Sequence, residues 1–441
     1  MNITYPDAAH LLRRTGFAAS KAVITSHLTK TRAQLVDHLL DFSPNVSIPA
    51  FIAPPSGDYG NPYVRYWIER MAKAPAPLQE RLTLFWHNHF ATSSSKVGGQ
   101  RMQQQVDLLR AMGDGDFNTL TKAVSLHPSM LYWLDNAFSR KPTPNENFSR
   151  ELLELFMLGE KQGYTEDDVR ALAFAWTGHS TDSDILNYVF KPTWHDTANK
   201  TIFGSTANWD GPNVIDQMVV QGGALSVVRS RVAKFVATKL WSWFATPNAS
   251  PAMQDRLGAL LGEDPNMNIR VFLRKMFILD EFYADDVKQG LVRNPVDWAL
   301  AMVRPAGFVN WSSLGNHFAN SGGYIGSLDM VLLQPPNVAG WENNDHWLSE
   351  PAVWQKAQAA EYICGEAVKA APAGTGFLNG FETLTPDQAL QFALDSLGED
   401  RVTVGSPTWN ALLALINNAR NTTTRRNVLR AISLTPEFTL A

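Results

Sequence analysis

Between Lys141 and His179 the chain reads KPTPNENFSRELLELFMLGEKQGYTEDDVRALAFAWTGH, and its apolar residues return every three or four positions. That period lays an apolar stripe along one side of a helix, and a chain that sustains it must bury helix against helix. Thr143 is placed to cap a first helix, with Pro144 at its opening position and Glu146 three residues after the cap, where a capping box carries an acid. Phe148, Leu152 and Leu155 form the stripe, and Gly159 stops it. Thr165 with Asp168 repeats the start signal, Val169, Leu172, Ala173 and Trp176 repeat the stripe, and Gly178 ends it.

The same period runs through most of the rest. Pro6 opens a helix that closes at Gly16, and Leu35, Leu39 and Phe42 share a face in the next. Helices are expected over 63–73, 77–90, 99–112, 117–125 and 128–135, and again over 213–221, 225–244, 251–261, 268–279, 295–303, 326–333, 351–370, 386–396, 407–419 and 424–433. Residues 43–62 are a Pro/Gly/Ser-rich irregular connection. Only 180–212 alternates polar and apolar residues about a polar turn, as a short β-hairpin does. At 441 residues the chain exceeds the size at which one core stops growing. The expectation is therefore an all-α, compact two-lobed multi-helix body: an N-terminal lobe over 1–179, the hairpin insertion at 180–212, and a C-terminal lobe over 213–441.

Composition narrows the function classes. Net charge is −4 with no long Lys/Arg run, so the electrostatic footprint of nucleic-acid binding is missing. A single cysteine, Cys364, excludes an internal disulfide and a Cys-rich zinc site. Arg13 and Arg14 are not followed by an apolar stretch of signal length, and no window approaches a membrane span. No Gly-rich phosphate loop, His-Glu-x-x-His helix or Gly-x-Ser-x-Gly elbow is present.

Several blocks together resemble one bacterial family of uncharacterised proteins, domain of unknown function 1800. They are AAHLLRRTGF, FWHNHF, the NENFSRELLELFMLGEKQGYTEDDVRALAFAWTG block, HDTANKTIFG, RVAKFVATKLWSWF, EFYADDVKQGLVRNPVDW, LLQPPNVAGW and the terminal SLTPEF. The resemblance runs nearly end to end. It implies a protein whose relatives are often exported, and a partnership with a protein similar to sulfatases and alkaline phosphatases. His179 stands where the family usually has Trp, and Trp194 where Phe is usual.

Three polar constellations carry any chemistry. In RLTLFWHNHFATSSSK, His87 and His89 are two apart; on a helix they point about 200° from each other, so they share a metal only if the helix ends between them. His89 otherwise continues the stripe of Leu78, Leu82 and Phe85 as a hydrogen-bonded core residue. Glu146, Arg150 and Glu154 follow at spacings of four, with Glu151 on the flank: an ion-pair ladder, or inward carboxylates for a metal or for proton transfer, behind the polar start at Asn145. His195-Asp196 and Lys200 lie on the hairpin, where adjacent side chains face opposite ways and each finds its own partner. The Pro-rich corner before Trp341 either plugs the core or displays a ring to a sugar.

If these blocks converge, catalysis falls to Glu146, Glu151, Arg150, His195 and Asp196, a divalent metal to His87, His89 and Glu146, and substrate contacts to Asn145, Lys200 and Trp341. Two functions follow as expectations. One is a helper or binding protein acting with a sulfatase-like partner or a saccharide. The other is a metal- or carboxylate/His-dependent enzyme on a polar, anionic or sugar-like substrate.

Overall fold

A computed structural model describes residues 1–49, 61–307, 317–318, 323–369, 377–416 and 421–441. The architecture is mainly α-helical, and the only sheets among these residues are two antiparallel pairs. Helices expected from periodicity form with small shifts of their ends, including Pro77–His89, Gly99–Met112, Arg229–Phe244, Pro295–Ala306 and Thr422–Ser433. The connection at 43–62 lies partly outside the described residues, as do the last residues of the helices expected at 351–370 and 407–419.

Buried apolar side chains form two clusters. The first gathers residues of the N-terminal helices with much of 109–287; the second gathers 63–106 with 292–438. Helix Pro77–His89 lies between them, giving Leu78, Leu82, Phe85 and Trp86 to the first and Leu84 to the second. The helix is buried nearly all round, which requires its polar residues to find partners inside the fold. Glu80 does so completely: its carboxylate accepts from Arg70 Nε at 2.6 Å, Arg110 Nε at 2.7 Å and Trp67 Nε1 at 3.0 Å.

Three local expectations are corrected. The helix expected from Thr143 starts at Asn147, because Thr143 closes a tight bridge with Arg140 and the Asn145 side chain accepts the Asn147 N–H at 2.8 Å. Glu146 makes no cap bond, and from Leu152 to Met157 the helix widens into a π-helix. Residues 326–333 make only a 3₁₀ turn, Gly326–Leu328, ended by Asp329 at φ +61. The single hairpin is in fact two: β1 (His179–Thr181) with β2 (Tyr188–Phe190), and β3 (Lys200–Ile202) with β4 (Ser205–Ala207). Period-2 alternation marks extended segments but does not say which of them pair.

Candidate metal centre

The helix Glu166–Ala175 starts on the Thr165/Asp168 capping box and carries its buried stripe as far as Trp176. A turn at Gly178, with φ +80, then throws the chain into β1. A Cβ there would lie 3.0 Å from His195 Cβ, so the glycine also lets the segment after β2 fold back over the turn. That segment is tied down by the Lys191 N–H to Gly178 O at 2.8 Å and the Asp196 N–H to Thr177 Oγ1 at 2.9 Å. The result sets the His179 and His195 rings edge to face with centroids 6.1 Å apart.

Asp210 completes the group. It occupies the N-cap position of helix Gly211–Val219, where an aspartate normally accepts a backbone N–H of the first turn. Here it makes no such bond; Oδ1 lies 2.8 Å from His179 Nε2 instead. The approach depends on Gly211, where a Cβ would stand 2.4 Å from the Trp176 ring. One nitrogen from each histidine and one Asp210 oxygen all lie within 4.8 Å of one another, the only group of its kind among the described residues. His179 and His195 are 3 % and 8 % exposed, while the Asp210 side chain is 44 % exposed and opens the group to solvent.

The outer contacts set up two ligands. His195 Nδ1 is 2.7 Å from Thr177 O; a carbonyl only accepts, so Nδ1 carries the hydrogen and Nε2 of the neutral ring presents its lone pair. Metal-bound histidines are held by this kind of bond from the non-ligating nitrogen. His179 Nδ1 is 2.9 Å from the Tyr188 hydroxyl, which donates when Nε2–H faces Asp210 and accepts when Nε2 binds a cation. Burial, then the Asp210 charge, push the Tyr188 phenol up to about 12, so it keeps its proton for either role. Lys200 Nζ is held by Asp196 O at 2.7 Å and Ala198 O at 2.9 Å, and burial lowers its pKa.

The remaining sequence candidates do not assemble as one centre. His87 and His89 are both buried, and together with Glu146 they are not a group of ligand atoms within 4.8 Å. His87 packs edge-on to Trp67 and Trp341, while His89 Nε2 lies 3.0 Å from Phe156 O at the end of the π-helix. Burial drives both imidazoles down to about 3. Glu146 and Glu154 sit 3.6 Å and 3.5 Å from Arg150, which also grips Glu166 at 2.7 Å, so these charges form a surface ladder. Glu151 is half-buried, with its pKa raised by burial and then by Glu154. Asn145 is spent on local turn bonds to Ser139, Asp135 and Asn147. His195 and Asp196 lie in the turn between the two hairpins rather than on a strand, where Asp196 accepts from the Ala198 N–H and His195 turns to Thr177 O. Trp341 is 4 % exposed and closes the core, which leaves no ring face for a sugar.

Sequence reasoning reached His195 and noted His179 as unusual; it missed Asp210, which reads as an ordinary N-cap before Gly211-Pro212. A family model described as "Protein of unknown function (DUF1800)" matches residues 10–440. No curated protein and no solved structure matches the chain. No helix among the described residues is long and apolar enough to cross a membrane.

Proposed function

We propose, for a chain that belongs to the DUF1800 family over nearly its whole length, that His179, His195 and Asp210 hold one divalent first-row metal ion serving chemistry on a polar substrate. The reading rests on one observation, the convergence of two imidazole nitrogens and a carboxylate that has left its capping place. Two histidines and one carboxylate suit zinc or iron(II), and leave coordination positions open. Bound there, such an ion would polarise a substrate oxygen or activate a water. The chain's own groups supply the rest: Thr177 O and Tyr188 orient the rings, and Lys200 brings positive charge beside Asp210.

The test is elemental analysis of purified protein, then of chelator-treated protein reloaded with zinc or iron(II). Near one equivalent is expected in the unaltered chain, and His195→Ala or Asp210→Asn should fall at least tenfold while retaining helical circular dichroism. Equal metal in His195→Ala, or none taken up by the unaltered chain, would overturn the reading.

A second reading keeps the helper role beside a sulfatase-like protein or a saccharide. Its support is the rim of the same region, where Phe138, Leu186, Tyr188 and Phe190 are exposed, and where Trp194 lies under Lys191 Nζ at 4.1 Å. Co-elution with a purified sulfatase-like protein, lost in Phe138→Ala/Phe190→Ala, is the expected outcome for that reading. Unchanged co-elution of the double variant would remove it.

A further inference from the structure

A second site is built into the seam between the two apolar clusters, and it is independent of the metal reading. A cleft of about 380 Å³ opens there, walled by Phe85, Leu155 and Phe235 from the first cluster's side and by Val292 and Trp347 from the second's. Its size is that of a small-ligand pocket. One cation lines it without a counter-charge. Lys239 lines the cleft, is open to solvent there, and among the described residues makes no hydrogen bond or ion pair; Nζ lies 5.5 Å from the Phe235 ring, and its charge acts on His89. Thr238, Trp243 and Trp347 also line the cleft, but Thr238 Oγ1, Trp243 Nε1 and Trp347 Nε1 are shut off from it in the packed interior. His89 Nδ1 is likewise closed off, a buried lone pair, since Nε2 donates to Phe156 O.

Behind the cleft lies an excess of buried positive charge. Asp297 lines it and pairs with Arg81 at 2.8 Å, and the charges of Arg293 and Arg14 also act on this carboxylate. Arg13 pairs with Asp400 and Arg401 with Glu399, but neither Arg14 nor Arg293 has an ion pair among the described residues, although both are buried. Arg14 donates to Val287 O, and Arg293 lies over the Phe438 ring. Guanidinium does not give up its proton in a protein, so these charges stay and call for a counter-charge. An unpaired buried charge costs several kcal/mol, whereas a bound anion offsets that cost.

We propose that this cleft binds a small organic oxyanion, with its charged end taken by Lys239 over the arginine-backed floor, and its ring or hydrocarbon body against Phe85 and Phe235. Ligands of this class carry negative charge on acceptor oxygens, which matches an ammonium without a counter-charge.

Calorimetric titration of the full chain with phenylphosphonate, and with benzyl alcohol as its uncharged counterpart, tests this. Phenylphosphonate should bind at least tenfold tighter than benzyl alcohol, and inorganic phosphate should compete with it. Lys239→Met should weaken phenylphosphonate at least tenfold while leaving benzyl alcohol binding unchanged and the thermal midpoint equal or higher. No binding, no preference over the alcohol, no competition by phosphate, or unchanged affinity in Lys239→Met would each overturn the proposal. The phosphate competition uses the unaltered protein, so it decides even if the variant fails to fold.

Discussion

At the residue scale, the two histidines of FWHNHF show how burial converts a chemically suggestive pair into core. His89 stacks on Phe85 with centroids 5.8 Å apart and satisfies the carbonyl of Phe156 at the π-helix end, where no intrahelical donor is left. Truncating it removes that bond and opens a cavity, so His89→Ala is expected to lose about 3 kcal/mol in urea unfolding with metal content unchanged. His87 differs, since neither ring nitrogen has a partner. A leucine of similar bulk leaves no polar atom unsatisfied, so His87→Leu should match or exceed the unaltered urea midpoint; a clear drop would show that an internal partner was lost. His195 and Asp196 do find separate partners, but in a turn between the hairpins rather than on the strand their spacing suggested. Asp210 was not legible, because a carboxylate before Gly-Pro carries the same letters whether it caps its helix or reaches across to an imidazole.

At the element scale, start and stop chemistry was readable where it is self-contained. The Thr165/Asp168 box forms as the spacing demands, with both reciprocal bonds present. The Thr143 signal fails because the Asn145 N–H, which such a cap would accept, donates to Ser139 Oγ at 3.1 Å, while the Asn145 side chain accepts from Asn147 N–H. Contacts between elements were less readable. Glu80 pins helix Asn61–Lys73 and helix Gly99–Met112 to its own through Arg70 and Arg110. Glu80→Ala leaves buried Arg110 with Asp107 alone and half-buried Arg70 without its carboxylate, and should cost about 3 kcal/mol by urea unfolding. Gly211→Ala would push a methyl into Trp176 and move the Asp210 backbone. Its expected signature is a lowered thermal midpoint together with lost metal, whereas metal retained at a lowered midpoint would separate Asp210 from the site.

At the scale of the whole molecule, buried imidazoles make the fold acid-sensitive. Burial holds His87 and His89 at about 3 and His127 at about 4, and His10 also lies well below the ordinary value of 6.5. These rings stay neutral in the folded chain while the unfolded chain takes up protons below pH 6.5. Their contribution is thus full above that value and is lost as pH falls toward 4, by up to about 1.4 kcal/mol per pH unit for each histidine. Urea midpoints should fall steeply from pH 7 to pH 5, and less steeply in His87→Leu/His127→Leu.

What the amino-acid sequence determined by itself was the all-α class, most helix positions and the location of extended backbone, because period, capping and turn residues act within a few positions of one another. The tertiary structure alone decided that His179 meets Asp210 across 31 positions, that the FWHNHF histidines are core, and that unpaired cations gather behind one cleft. Those outcomes depend on how helix faces dock and on which polar groups burial leaves without water, and neither is encoded in local spacing.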